Sequence, residues 1–294
     1  MSEFNKIGVI GREGKGVVET LNRLLDFLAL RSLQVVLDEQ LAVLLPSREF
    51  DVSPRRTIGE RTDLIVVVGG DGSLLGAARS LCRHNTPVVG VNRGRLGFLT
   101  DISPDELEAT LGAVLDGQYS LEKRFMLSVE LLRKGERVGK GEALNDVVLN
   151  SGTSGHMMEF DLFIDGEHVY RQRSDGLIIS TPTGSTAYSL SAGGPIMHPC
   201  LDAIVIVPMF PHTLSSRPIV IDGKSEIKMV VCDDDIHPPV TCDGQIRITA
   251  EPGDEVIVRK KPHKIRLIHP LDHSFYASCR DKLGWNYSRE RGNK

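Results

Sequence analysis

The chain has 294 residues, of which 40% are hydrophobic and 25% charged, and its formal net charge is -4. These values are typical of a globular protein with one large domain or two, and they exclude a chain that is mostly disordered. The small negative charge gives no general attraction to nucleic acid or to anionic membranes, so we expect neither as a partner.

The first part of the chain, residues 1–119, alternates strand and helix patterns. Apolar runs without polar alternation predict strands buried on both faces, as in a parallel sheet covered by helices. These runs lie at 6–11, 33–37, 63–68 and 87–92. The polar stretch 46–62 is expected to be a surface connection.

Helices are expected between these strands, because apolar residues recur at helical spacing over 17–31 and again after Ser73. Ser73 is predicted to be the N-cap of the second helix, and Ser103 followed by Pro104 to begin a third. The alternation predicts a doubly wound, Rossmann-like α/β domain.

From residue 120 to residue 271 the pattern is that of many short strands separated by turns. Strands are predicted at 125–132, 143–149, 157–164, 176–181, 203–207, 219–221, 226–231, 240–242, 255–260 and 264–268. Asp165-Gly166, Asp222-Gly223 and Asp243-Gly244 are typical hairpin turns. We therefore expect a β-sandwich-like domain with one helical segment near 185–192. A final helix, within 272–294, is expected to pack back on the α/β domain.

The strand at 63–68 ends in Gly69-Gly70-Asp71-Gly72, at the sheet edge where open α/β folds bind ligands. Glycines let backbone N–H groups approach phosphate oxygens, and a helix N-terminus adds favourable polarity. Gly69, Gly70, Gly72 and Ser73 are therefore candidates for a phosphate region. Asp71 would repel an anion unless it holds a metal ion or accepts a proton from a substrate hydroxyl. The alternative is a tight turn with Asp71 as a turn former.

A second glycine-rich turn follows the strand at 87–92, and Arg93 within it could face a phosphate or lie in solvent. In the strand-rich part, Asn145-Asp146 interrupts an apolar pattern, because Asn and Asp are poor strand residues. A ribose diol would suit these two side chains, whereas a bulge or strand end is the alternative. The run 181–195, rich in hydroxyl residues and glycines, predicts a shallow surface for a planar ring, with a serine-rich loop as the alternative.

The motifs at 69–72, 145–146, 175–176 and 181–188 together resemble those of bacterial NAD kinases in their order and spacing, and the likeness extends to 92–100 and 282–285. The resemblance implies transfer of the γ-phosphoryl group of ATP to the 2′-hydroxyl of the adenosine ribose of NAD, giving NADP. It implies that Asp71 is the catalytic carboxylate and that the dinucleotide lies mainly on the β-rich domain. The family often has Glu where this chain has Asp146.

The resemblance also implies the residues that contact the dinucleotide. They are Asp71, Gly72, Asn145, Asp146, His156, Arg173, Asp175, Thr186, Ala187, Tyr188, Ser189, Leu190, Ser191 and Gln245. A divalent ion such as Mg²⁺ would bridge the ATP phosphates while keeping waters, so few dedicated protein ligands are expected. The working state is expected to be a homodimer or homotetramer.

Three rival functions share part of this pattern. A lipid kinase could carry the same glycine turn, although no basic amphipathic helix is evident. A non-catalytic NAD sensor would keep the 145–146 and 186–191 motifs without needing Asp71. An NADP-dependent dehydrogenase is disfavoured because the dinucleotide fingerprint GxGxxG is missing.

Cysteine usage and the N-terminal sequence bear on the compartment. The five cysteines are scattered and form no CxxC pair, which favours a reducing compartment over a disulfide scaffold or zinc site. The first residues do not resemble a signal peptide, and no apolar run approaches the roughly 18 residues of a spanning helix. We expect a cytoplasmic protein.

Overall fold

The computed structural model describes residues 3–14, 16–46, 49–93, 97–152, 157–213, 215–233 and 235–285. The chain divides into two compact units. The first comprises Met1–Glu122 with Arg266–Lys294, and the second comprises Lys123–Ile265. Within the described ranges no helix is both long enough and apolar enough to cross a bilayer.

The elements up to residue 115 are β1 (Lys6–Gly11), α1 (Val17–Leu30), β2 (Gln34–Asp38), α2 (Glu39–Ala42), β3 (Asp51–Ser53), β4 (Leu64–Val68), α3 (Asp71–Leu81), β5 (Val88–Val91) and α4 (Leu107–Leu115). The remaining elements are β6 (Tyr119–Arg133), β7 (Glu136–Ala143), β8 (Asp146–Asn150), β9 (Met158–Ile164), β10 (Glu167–Ser174), β11 (Gly176–Ser180), α5 (Tyr188–Ser191), β12 (Ala203–Met209), β13 (Ile219–Asp222), β14 (Ile227–Val231), β15 (Pro239–Cys242), β16 (Ile246–Thr249), β17 (Glu255–Pro270) and α6 (Phe275–Leu283).

The first unit contains a parallel sheet in the order β3-β2-β1-β4-β5-β17. Its last strand is the C-terminal part of β17, where Leu267 pairs with Val88. All five residues of β4 are buried, which explains the lack of polar alternation in that stretch. The order is that of a doubly wound fold, so the predicted α/β class is confirmed. Ligands bind such sheets where the strand order reverses, here between β1 and β4.

The second unit consists of two antiparallel sheets. One has the order β13-β12-β11-β8-β15-β16. The other has the order β10-β9-β14-β17, with β6 beside β17 and β7 beside β6. Side chains from both sheets, among them Val147, Phe160, Leu177 and Met229, form one buried core. The predicted sandwich-like class is confirmed.

Several predicted elements are wrong in detail. The stretch 46–62 is more than a connection, because it contains β3, which pairs with β2. The strand predicted at 143–149 is two strands, β7 and β8, and those predicted at 255–260 and 264–268 are one. Two short or charged strands, β10 and β16, are absent from the prediction. Both lie at sheet edges, and edge strands commonly carry polar and charged side chains. These residues hide the alternating apolar pattern by which a strand is predicted.

Two of the three predicted hairpin turns are confirmed. Asp165-Gly166 joins β9 to β10, and Asp243-Gly244 joins β15 to β16, with positive φ at all four residues. Asp222-Gly223 is not a hairpin turn, because β13 pairs with β12 and the following β14 belongs to the other sheet. A turn dipeptide specifies a local reversal and leaves the pairing partner open.

Candidate functional site

Gly69 and Gly70 follow β4, and the physical reason for a glycine differs between the two positions. A Cβ added at Gly69 would overlap Ser73 Oγ and lie 2.6 Å from Ser73 Cβ, so close packing requires glycine there. Gly70 is exposed, and a Cβ added to it would meet no atom within 4 Å. Packing therefore does not require glycine at position 70. Close approach of a ligand to the backbone is a remaining reason for it.

The N-cap predicted for α3 is wrong. The helix begins at Asp71 with Gly70 as N-cap, and no side chain caps it. Ser73 is the third residue of the helix, still in its first turn, with its hydroxyl against Gly69. The Asp71 side chain thus projects from the first residue of a helix that begins at the carboxyl end of β4.

The Asp71 carboxylate is held by the loop that follows β5. Its Oδ2 accepts a hydrogen bond from Phe98 N at 2.8 Å, and its Oδ1 accepts from Leu99 N at 3.2 Å and Thr100 Oγ1 at 3.1 Å. A Cβ at Gly97 would overlap Asp71 Oδ1 and lie 2.5 Å from Asp71 Cγ. The sequence indicated this loop only as a second glycine-rich turn, and its role in holding Asp71 was missed.

Among the residues that the structure describes, three donors bond to the Asp71 carboxylate and leave it one defined acceptor position. An ionised carboxylate offers about two acceptor sites on each oxygen. Oδ1 receives two hydrogen bonds from the loop, whereas Oδ2 receives one. Oδ2 is therefore the atom that can still accept a hydrogen bond from a hydroxyl group or a metal-bound water.

Arg93 lies against the turn that follows β1. A Cβ added at Gly14 would lie 3.0 Å from Arg93 Nη1, and Arg93 N donates to Asn92 Oδ1 at 2.7 Å. The guanidinium is thus near the point where the strand order reverses between β1 and β4. Its contact with a phosphate stays a prediction.

In the second unit, Asn145 and Asp146 lie at the break between β7 and β8. The Asp243 carboxylate accepts from three successive backbone N–H groups of this break, those of Leu144 (3.2 Å), Asn145 (2.8 Å) and Asp146 (3.4 Å). The alternative of a strand end therefore describes the local geometry at Asn145 and Asp146. Asp243 was not predicted as a site residue, because the Asp243-Gly244 pair was already explained as a hairpin turn.

Asp146 is a buried acid, with 4% of its surface exposed. Burial, together with the nearby Asp243 carboxylate, raises the pKa of Asp146 to about 7. Near neutral pH the group is therefore divided between its neutral and charged forms. In the neutral form it can donate as well as accept a hydrogen bond.

The 180–184 segment is bonded to the same break. Thr181 Oγ1 donates to Leu144 O at 2.6 Å, and both Thr181 N (2.9 Å) and Ser180 Oγ (3.2 Å) donate to Asn145 O. A Cβ at Gly184 would overlap Asn145 O. The structure thus brings the Asn145-Asp146 motif together with the start of the 181–195 run.

The 186–191 segment presents its side chains unevenly. Tyr188 and Ser191 are exposed and Thr186, Ala187 and Leu190 are partly exposed, whereas Ser189 is fully buried. Ser189 is not open to direct contact with a ligand, because its side chain is buried and Gly194 packs against its hydroxyl.

The other predicted dinucleotide contacts lie at several places. Arg173 is exposed on β10, Asp175 is partly buried between β10 and β11, and Gln245 is exposed after the Asp243-Gly244 turn. His156 lies outside the described residues.

One group in the described part of the chain has the composition of a metal site. Ligand atoms of Asp101, His269 and His273 lie within 4.8 Å of one another, all in the first unit. No sequence motif announced this group, because Asp101 lies 168 residues from His269.

Family models settle the relationship of this chain to known proteins. The model of the ATP-NAD kinase N-terminal domain matches residues 7–119, and that of the ATP-NAD kinase C-terminal domain matches residues 144–270. The chain belongs to the ATP-NAD kinase family. Its activity is the ATP-dependent phosphorylation of NAD at the 2′-hydroxyl of the adenosine ribose, with NAD and ATP as substrates. The lipid-kinase, sensor and dehydrogenase alternatives are therefore set aside.

Individual relatives cover nearly the whole chain. NAD kinases of Pseudomonas syringae pv. syringae (strain B728a) and Azotobacter vinelandii are each 61% identical over 287 residues, 97% of this chain and 97% of theirs. Among solved structures, yeast NADH kinase complexed with NADH has a TM-score of 0.88 at 28% identity, over 99% of this chain and 90% of that chain. An NAD kinase from Archaeoglobus fulgidus in complex with ATP has a TM-score of 0.73 at 26% identity, over 95% of this chain and 97% of that chain.

Proposed function

We propose that Asp71 is the catalytic carboxylate of this NAD kinase and that it acts through Oδ2. The observation that carries this proposal is the set of three loop donors that orient the carboxylate and leave Oδ2 one acceptor position. Through that position Asp71 orients the ribose 2′-hydroxyl and accepts its proton as the oxygen attacks the γ-phosphorus. Phosphoryl transfer asks the protein mainly for positioning and electrostatic stabilisation, which a carboxylate held this way provides.

The test is Asp71→Asn, assayed for NADP formation with ATP, Mg²⁺ and NAD. Asn keeps the size of the side chain but loses the proton acceptor, so we expect kcat to fall by about 10²–10⁴-fold. The Kd for NAD, measured by calorimetry, should change by less than about tenfold, or ~1.4 kcal/mol. Full turnover by Asp71→Asn would show that another group accepts the proton, although the family activity would stand.

The phosphates of ATP are proposed to lie at the N-terminus of α3. Gly69, Gly70, Gly72 and Ser73 would present backbone N–H groups and a hydroxyl there. This is supported by the open space around Gly70 and by the position of Arg93 beside the turn after β1. Both features lie at the carboxyl ends of β1 and β4, where the strand order reverses.

Gly70→Ala tests this phosphate contact without removing any side chain. Since a Cβ at Gly70 meets nothing in the protein, we expect the thermal unfolding temperature to stay the same. The KM for ATP should rise by about tenfold or more, because the methyl group displaces a phosphate oxygen from the backbone. The KM for NAD serves as the internal control. An unchanged KM for ATP would move the phosphates away from this turn.

The dinucleotide is proposed to bind to the second unit. Asn145 and Asp146 would hold the ribose and the adenine side, and the 186–191 segment would receive the adenine ring. The support is the bonding of 180–184 to the break at 144–146, which fixes these two motifs relative to each other. Asp175, Arg173 and Gln245 complete the proposed set of contacts.

A divalent cation such as Mg²⁺ is proposed to enter with ATP. Bridging the phosphates, it would neutralise charge that builds up during transfer. The residues present fit such an ion, since Mg²⁺ on substrate phosphates keeps several of its waters and needs few protein ligands. The measurement is NADP formation against free Mg²⁺ at fixed ATP, where activity without divalent ion would contradict the proposal.

A homodimer or homotetramer is proposed as the working state. The six-stranded sheet ends in the edge strand β13, where Val220 is 52% exposed, and Phe210 after the neighbouring β12 is 75% exposed. An edge strand with exposed apolar side chains is a typical place for a second chain to pair. Light scattering that gave a monomer at assay concentration would contradict this.

The cytoplasm is the proposed compartment. No disulfide joins any of the five cysteines, and Cys82, Cys242 and Cys279 are buried. Free thiols persist in reducing compartments. Cell fractionation tests this directly.

A further inference from the structure

A second polar cluster in the first unit, here called the Asp101 cluster, consists of Asp101, His269 and His273. His269 is fully buried and its Nδ1 donates a hydrogen bond to Asp101 Oδ2. His273 Nδ1 lies 3.1 Å from the other oxygen, Oδ1. The two imidazoles stack with their centroids 4.2 Å apart and their planes inclined by 20°. Each oxygen of one carboxylate therefore faces a different histidine.

The charge state of this cluster follows from its neighbours. Burial opposes ionisation of Asp101, but the His269 and His273 imidazoles outweigh it and lower the pKa of Asp101 to about 2. Asp101 is thus an anion at neutral pH, so the His269 nitrogen that faces it carries the proton. Glu122 adds a second carboxylate, with its Oε2 3.7 Å from His269 Nε2.

The cluster adjoins the loop that holds Asp71. Asp101 directly follows Thr100, whose hydroxyl donates to Asp71 Oδ1. The next residue, Ile102, is fixed to β5, since Ile102 N donates to Gly90 O at 3.2 Å and Ile102 O accepts from Asn92 N at 2.8 Å. The C-terminal end of the loop is thus held at Ile102 by a β-bridge to Val91, and at Asp101 by His269 and His273.

The C-terminal segment also contacts the loop at a second point. Lys282 on α6 places its Nζ 5.7 Å from the centroid of the Phe98 ring, while Phe98 N donates to Asp71 Oδ2. Residues 269–282 therefore touch the loop at Phe98 and at Asp101, on both sides of Leu99 and Thr100.

We propose that Asp101, His269 and His273 are positioning residues for phosphoryl transfer, which hold the 97–101 loop in the one place where its donors meet the Asp71 carboxylate. The proposal rests on the proposed catalytic role of Asp71. Loss of the cluster lets the loop shift, and a misplacement of about 1 Å at the reacting group costs on the order of 10²-fold in rate.

The same residues have the ligand types of a transition-metal site, but their geometry favours hydrogen bonding. A metal would need both imidazole nitrogens directed at one ion at about 2 Å. Instead the two rings stack face to face, His269 Nδ1 is hydrogen-bonded to Asp101 Oδ2, and His273 Nδ1 lies 3.1 Å from Asp101 Oδ1. If the cluster did bind a metal ion, the purified protein would contain that ion in stoichiometric amount.

The first measurement compares His269→Ala and His273→Ala with the conservative His269→Asn and His273→Asn. The Asn amide lies near the position of Nδ1 and restores a donor to Asp101. We expect the Ala variants to lose about 10–100-fold in kcat with the KM for NAD and for ATP nearly unchanged, and the Asn variants to recover most of it. His263→Ala is the matched control, since His263 is an exposed histidine of the same strand, β17.

The second measurement is independent of activity. Hydrogen exchange of the peptide 97–102 reports the amides of Phe98 and Leu99, both of which donate to Asp71. We expect faster exchange in His273→Ala, whose side chain is 10% exposed and so tolerates removal better than that of His269. If exchange rises while Asp71→Asn is fully active, the loop is positioned as proposed and the catalytic role of Asp71 is what fails.

A double-mutant cycle with Asp71→Asn links the two measurements. If the cluster acts through Asp71, His273→Ala causes little further loss in the Asp71→Asn background. Folded Ala variants with unchanged kcat and unchanged exchange at 97–102 would overturn the proposal. So would stoichiometric zinc in the purified protein whose removal by a chelator abolished activity.

Discussion

Gly97→Ala is expected to reduce NADP formation at least as severely as removal of the Asp71 carboxylate, by about 10²–10⁴-fold. The new Cβ would overlap Asp71 Oδ1, lie 2.5 Å from Asp71 Cγ and lie 2.7 Å from Thr100 Oγ1. The carboxylate must leave its position, or the loop must move away and give up its three hydrogen bonds. Either response displaces the one oxygen that is proposed to receive the substrate proton.

The matched control is Gly112→Ala in the same unit. Gly112 lies inside α4, and a Cβ there would meet only Phe27 Cζ, at 3.6 Å, which is an ordinary contact. Since Ala is the better helix former by about 1 kcal/mol, this variant should be at least as stable as the parent and equally active. A Gly97→Ala enzyme that turned over like Gly112→Ala would show that catalysis does not need the loop against Asp71.

Asp146→Asn is expected to stabilise the protein above neutral pH while weakening NAD binding. The pKa of Asp146 is about 7 in the folded protein, against an ordinary value of about 4 in the unfolded chain. Between these values the unfolded chain is ionised and the folded protein keeps its proton, so stability falls as pH rises through this window. The full penalty is present above pH ~7 and is on the order of a few kcal/mol.

Asn carries no charge, so the variant escapes this penalty. We expect its free energy of unfolding in urea to exceed that of the parent at pH 8 and to match it near pH 4. The KM for NAD should rise, since Asn cannot offer the carboxylate to the ribose. Such an exchange of stability for function is typical of binding sites.

Asp161→Asn is the control with the opposite sign. Hydrogen bonds from Arg171 hold the pKa of Asp161 well below its ordinary range. Its stabilising effect is present above the unfolded-state pKa and fades as pH falls, so this variant should be less stable than the parent at pH 8. An Asp146→Asn protein no more stable than the parent at pH 8 would show that Asp146 is ionised without cost.

Much of the fold was predictable because its determinants are local in sequence. The run 64–68 has no polar residue, and a strand with two apolar faces is stable only inside a covered sheet. The turn pairs at 165–166 and 243–244 adopt positive φ between strands that are adjacent in the sequence and in the sheet. By contrast, β10 and β16 were missed, because an edge strand tolerates polar residues and needs only backbone partners, which the sequence does not name.

The sequence by itself determined the family, the fold class and the motif residues, because Gly69–Gly72, Asn145-Asp146 and the 181–188 run are contiguous and keep a definite order. Only the tertiary structure decided what holds these residues. The donors to Asp71 lie 27 to 29 residues away, Asp243 lies 98 residues from Asn145, and His269 lies 168 residues from Asp101. Hydrogen bonds of this kind form where the sheets bring distant strand ends together, and no spacing along the chain records them.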